Sequence, residues 1–375
     1  MKQIGFAALI LIAAVVAGCA NDNSLHVKGH LNSVGDTLLV ITEENEKNPQ
    51  TVIVKDGAFE FSCPLNRPQM IYMVAPQAMR GMQGIHLAVV GVPGETLEIR
   101  NDLNMGYEVG GSEFYQEFHK AEVAMEAVQK KQRALTQRCI DMVRTGTPQD
   151  SVTAIFEREN APLQQQMEQT LMNFIKEHAQ SEVAAAVVPF LPPSKMREGA
   201  ALLAPSVKNG RMKTYYQRAI DDYEAQQKDE QKSAELQAVG RVAPEIALKD
   251  INGRPLKLSS LKGKYVVLDF WGSWCTWCIK GFPKMKEYYN RYKGKMEILG
   301  IDCDDTYDNW KAAIEKHKLP WLHVYNPKES PVLGDYGVKG FPTKIVIDPE
   351  GKIVHAVTGE DPSFYTYLDK LFAGK

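Results

Sequence analysis

The feature that most constrains this chain is a pair of thiols, Cys275 and Cys278, placed where one periodicity gives way to another. The apolar stretch Tyr265-Val266-Val267-Leu268 before them reads as a buried strand. From Thr276 onward, apolar residues recur at helical spacing. Both sulfurs therefore belong at the first turn of a helix, on one face of it. Free N–H groups and the positive end of the helix dipole lie there, and a thiolate at Cys275 is stabilised. Cys275 can attack a substrate disulfide, and Cys278 can then attack the mixed disulfide and close an internal bond. Half of a zinc site and a pair of small core residues are the alternatives. Zinc would need a second Cys/His pair, and Cys303 with His317 does not form a recognisable one.

The segment Val266-Val267-Leu268-Asp269-Phe270-Trp271, followed by Trp274-Cys275, resembles thioredoxin-fold proteins. Val239-Gly240-Arg241-Val242-Ala243-Pro244, Leu258–Lys264, Pro283 and Gly340-Phe341-Pro342-Thr343 are similar to the envelope-facing, TlpA/ResA-like branch of that superfamily. The resemblance covers about residues 238–375. It implies a cis Phe341-Pro342 bond facing the cysteines, which proline tolerates far better than other residues do. It implies a proton-transfer role near Cys278 for Asp269, a carboxylate set inside an apolar run where burial is costly. It also implies that Trp274, Phe341 and Thr343 line the substrate. Thioredoxins proper give the aspartate a lysine partner from a neighbouring strand. Glu297–Ile301, read as that strand, has no lysine in its interior. Two departures stand out: Thr276-Trp277 separate the cysteines, and Gly281 occupies the position where ResA-type members carry a glutamate.

Met1-Lys2, an apolar run from Ile4 to Ala17 and Val16-Ala17-Gly18-Cys19 read as a signal peptide over 1–18. Its end resembles a bacterial lipobox, which implies cleavage before Cys19 and lipidation of that residue. Ala20 after Cys19 favours the outer membrane, facing the periplasm, by the family sorting rule. Residues 19–110 alternate in the manner of strands and predict a β-sandwich, with Phe59, Phe61 and Tyr72 in its core. It resembles the β-rich module that often precedes envelope thioredoxin-like domains. Residues 111–236 change to a helical period, with Phe114, Phe118, Ala121, Met125 and Val128 on one stripe. Residues 237–375 follow the β-α-β, β-β-α order of the thioredoxin plan. The expected architecture is a multidomain chain: N-terminal β-sandwich, helical middle, C-terminal α/β thioredoxin fold.

Net charge is −2, so nothing in the balance points to nucleic acid. Three further cysteines need an account. Cys63 and Cys139 are candidates for a structural disulfide, whose connectivity the sequence does not set. Cys303 is either a third redox thiol or a small buried residue. The leading function is a lipid-anchored envelope thiol–disulfide oxidoreductase, acting without a cofactor or metal, as a reductant of exported proteins. By family analogy, a membrane thiol-redox partner supplies its electrons. The alternatives are a thiol peroxidase and a non-catalytic envelope binding lipoprotein. Peroxiredoxins share the fold but place threonine three residues before the reactive cysteine, where this chain has Gly272.

Overall fold

The computed structural model of the protein describes residues 23–32, 34–76, 86–100 and 107–373. The signal-peptide and Cys19 readings lie outside the described residues. Packing divides the chain into two compact units, Met1–Tyr223 and Glu224–Lys375. No helix among the described residues is long and apolar enough to cross a membrane.

In the first unit, strands β1 (Ser24–His30), β2 (Thr37–Ile41), β3 (Gln50–Ile53), β4 (Ala58–Pro64), β5 (Gln69–Val74), β6 (His86–Gly91), β7 (Thr96–Arg100) and β8 (Glu108–Gly111) form two four-stranded sheets. Their orders are β4-β1-β7-β8 and β3-β2-β5-β6. Alternation decides which side chains enter the core. Phe59, Phe61 and Cys63 of β4 point inward. Tyr72 corrects the sequence reading: Ile71 and Met73 take the inner face of β5, so Tyr72 is exposed. Asp56 and Gly57 both have positive φ, as the tight turn before β4 requires.

Helices α1 (Glu113–Arg144), α2 (Gln149–Glu177), α3 (Glu182–Val187) and α4 (Met196–Leu202) follow, then α5 (Lys213–Leu236). The stripe Phe114, Phe118, Ala121 and Met125 joins the sandwich residues in one hydrophobic core. Tyr115 fixes α1 to the sheet by donating to the Val90 carbonyl at 2.7 Å. Cys63 and Cys139 are both free and buried, which corrects the proposed disulfide. They belong to different clusters: Cys63 to the sandwich core, Cys139 to a small one with Leu135 and Val152.

The second unit is built on a seven-stranded sheet of order β10-β9-β13-β12-β11-β14-β15. Its strands are β9 (Ala247–Asp250), β10 (Pro255–Lys257), β11 (Tyr265–Trp271), β12 (Met296–Asp302), β13 (Leu322–Tyr325), β14 (Thr343–Ile347) and β15 (Ile353–Thr358). Its main helices are α6 (Thr276–Arg291), α7 (Tyr307–His317) and α8 (Pro362–Phe372). β11, β12 and β13 run parallel, and β14 pairs antiparallel with β11. β11 is central and covered on both faces, which is why it reads as one apolar run. Val267 and Trp271 pack on the side of Cys275, Cys278 and Phe282; Val266, Leu268 and Phe270 pack on the other. Period two places Asp269 with Val267 and Trp271, on the cysteine side.

Candidate active site

β11 ends at Trp271, and Gly272 to Cys275 make a turn closed by the Cys275 N–H donating to the Gly272 carbonyl at 3.0 Å. Gly272 is required by packing. A Cβ there would stand 2.6 Å from Trp274 Nε1 and 2.9 Å from the Cys303 carbonyl. With no side chain in the way, the Trp274 indole folds back and donates to that carbonyl at 3.1 Å. The Ser273 N–H donates to Asp305 Oδ2 at 2.8 Å and ties the turn to the end of β12.

Cys275 is the N-cap of α6, and its Sγ accepts the Cys278 N–H at 3.1 Å. The sulfur thus replaces the oxygen of an ordinary cap and satisfies one of the free donors of the first turn. The structure holds the pair as a disulfide, with Sγ–Sγ 2.04 Å and Cα–Cα 5.3 Å. The sequence reading expects an openly reachable Cys275. Only 5% of its surface is open in this state, against 3% for Cys278, because both enter the cluster beneath the sheet face. Around them Trp274 is 51% and Trp277 62% exposed, so large apolar surface surrounds the disulfide. Lys280 Nζ lies 4.4 Å from the Trp277 ring centroid, a cation–π contact.

The Phe341-Pro342 bond is cis. Phe341 meets Trp274 edge-on, ring centroids 5.4 Å apart, so this loop adjoins the turn that carries Cys275. The Gly359 N–H donates to the Pro342 carbonyl at 2.7 Å and secures the loop from behind. Thr343 is fully buried. Its hydroxyl donates to the Gly340 carbonyl at 2.7 Å and meets Thr358 Oγ1 at 3.1 Å, so the side chain shapes the loop from inside.

Asp269 is buried on the cysteine side of β11. Burial pushes its carboxyl up to about 6; Lys344 opposes the rise and Glu360 adds to it. Lys344 is the lysine that the sequence reading looks for in Glu297–Ile301 and does not find there. It comes from β14, paired directly with Asp269 across the antiparallel ladder, and not from β12. Its Nζ donates to Glu360 Oε2 at 2.7 Å. Tyr365 OH donates to Glu360 Oε1 at 2.6 Å. Glu360 gave no signal in the sequence. The single clue to Lys344 is a charge inside the apolar run Thr343–Ile347.

Cys303 is sealed from solvent, its thiol donating to the Ile301 carbonyl at 3.4 Å. Burial first, then Asp302, pushes that thiol far up, which fits the small buried residue and not a redox thiol. Among the described residues no cluster of His, Cys, Asp and Glu is arranged to hold a metal.

Comparison with known proteins bears on the same region. The model of the AhpC/TSA family matches residues 239–356. Thiol-disulfide oxidoreductase ResA of Bacillus thuringiensis (strain Al Hakam) is 39% identical over 127 residues, which is 34% of this chain and 73% of that protein. Thiol-disulfide oxidoreductase ResA of Bacillus subtilis (strain 168) is 38% identical over 142 residues, covering 36% and 77%. Among solved structures, the thioredoxin domain of a thiol-disulfide oxidoreductase from Bacteroides vulgatus is 39% identical. It covers 36% of this chain and 97% of its own, with a TM-score of 0.34.

Proposed function

The chain belongs to the ResA family of thiol-disulfide oxidoreductases, and we propose that it is a lipid-anchored envelope enzyme that reduces disulfides of exported proteins. The observation that carries the reading is the Cys275 sulfur capping α6 beside the Trp274–Phe341 contact. Residues 237–375 are the catalytic domain in this reading; 19–110 and 111–236 are the β module and the helical region.

The reaction proceeds in two exchanges. The Cys275 thiolate, stabilised by the Cys278 N–H and the helix terminus, attacks one sulfur of the substrate disulfide. The substrate S–S bond breaks, one substrate sulfur leaves as thiolate, and a mixed disulfide remains. Asp269 accepts the Cys278 proton. The new thiolate attacks Cys275 Sγ, the mixed disulfide breaks, and the second substrate thiolate leaves. Two electrons have moved from the protein thiols to the substrate, and a thiol-redox partner in the membrane returns them. Trp274, Phe341 and Pro342 line the path of an extended substrate segment, and Thr343 holds that loop in shape. Cys19 carries the lipid that ties the protein to the outer membrane on the periplasmic side.

Cys275→Ser should abolish reduction of insulin disulfides. Cys278→Ser should accumulate mixed disulfides, visible on non-reducing gels. Turnover at the wild-type rate in both variants would defeat the reading.

A further inference from the structure

The second unit buries a charge network that disulfide exchange by two cysteines does not by itself require. Lys344 is a lysine with 3% of its side chain exposed, and its ammonium pairs with Glu360, whose side chain is 18% exposed. A buried lysine needs such pairing. Its other carboxylate neighbour is Asp269, directly across the ladder.

Glu360 reaches this place because α6 leaves room for it. A Cβ at Gly281 would lie 2.4 Å from Glu360 Oε2 and 2.8 Å from Oε1. No side chain larger than hydrogen fits at 281 while the carboxylate stays. Gly281 stands one turn after Cys278 on the same helix face. The carboxylate of the β15–α8 loop is therefore inserted against the turn of α6 that follows the second cysteine. Two further contacts hold it. Tyr365 of α8 donates to Oε1, and the adjacent Gly359 N–H is bound to the Pro342 carbonyl.

Resting on the redox role proposed for the pair, we propose that Glu360 is a positioning residue for proton transfer at Cys278. It draws the Lys344 ammonium away from Asp269, so that Asp269 stays basic enough to take the Cys278 proton in the resolving step. With Glu360 neutral, the whole ammonium charge would act on Asp269 and hold it as a weakly basic carboxylate. The raised carboxyl of Asp269, with Glu360 among the groups that raise it, agrees with this division of charge. The groups that face Asp269 are Lys344 from β14, Glu360 from the loop and Tyr365 from α8, and Cys278 of α6 lies on the same side of the sheet; Cys303, just past β12, packs on the opposite face. Tyr365 is itself flanked by Tyr288 and Lys284.

The test compares the full chain with its Glu360→Gln and Glu360→Asp variants, by insulin reduction across pH and by carboxyl NMR titration of Asp269. In Glu360→Gln, the Asp269 titration and the acid limb of kcat/KM should move to lower pH by about one unit. The plateau should fall by about three- to tenfold, since a weaker base resolves more slowly. Glu360→Asp should recover part of both changes. An Asp269 titration unchanged in Glu360→Gln overturns the proposal, as does an acid limb that stays in place. Should Glu360→Gln fail to fold, the wild-type Glu360 carboxyl resonance decides. It should move when the disulfide is reduced, and a resonance that stays put overturns the role. A wild type that cannot reduce insulin would sink the enzymatic reading alone, because the NMR comparison needs no turnover.

Discussion

Asp269 shows how one residue's chemistry is set by its neighbours. Burial first, opposed by Lys344 and helped by Glu360, lifts its carboxyl from 3.8 to about 6. The folded protein therefore binds this proton more tightly than the unfolded chain does. Ionising Asp269 costs the folded state free energy, so its contribution to stability falls as pH rises from about 4 to about 6. Asp269→Asn removes that loss. The variant should be more stable than wild type by about 2–3 kcal/mol near pH 7 and equal to it below about pH 4. Denaturant melts at the two pH values check this, and a variant less stable than wild type near pH 7 would count against it. The apolar run around Asp269 made its burial legible in the sequence. Its partner was not, because two strands flank β11 and only the fold says which one supplies the lysine.

At the scale of elements, periodicity carried most of the reading. β11 and α6 were legible because a fully covered strand and a one-sided helix leave different apolar patterns. β8 was not: Glu108–Gly111 is short and half glycine, with no alternation to detect. Close approach of neighbouring elements is equally silent. Gly300 of β12 looks unremarkable in sequence, yet a Cβ there would lie 2.6 Å from His323 Nδ1 and 3.0 Å from Trp271 Nε1. Trp271 and His323 belong to the strands on either side of β12, and both are buried. Gly300→Ala should therefore destabilise the second unit by about 1–3 kcal/mol through overpacking. A lower midpoint in thermal or denaturant unfolding is the expected result, and an unchanged midpoint would show that the two rings yield without cost.

At the scale of the whole molecule, the proposed lipid on Cys19 decides where the chemistry takes place. Each buried methylene contributes about 0.8 kcal/mol, so several acyl chains anchor a protein lastingly. Cys19→Ser should shift the protein from the membrane fraction to the soluble fraction of cells, with insulin reduction by the purified protein unchanged. Wild type found wholly in the soluble fraction would remove the anchor from the proposal. The sequence by itself determined the fold class and the reactive pair. Hydrophobic period, turn residues and the spacing of Cys275 and Cys278 are local along the chain. Tertiary structure alone decided which charges share a buried space. Lys344 and Glu360 stand 75 and 91 residues beyond Asp269 in number, and only sheet pairing and the gap at Gly281 bring them together. Strand order and close packing join distant segments, and no local pattern encodes either.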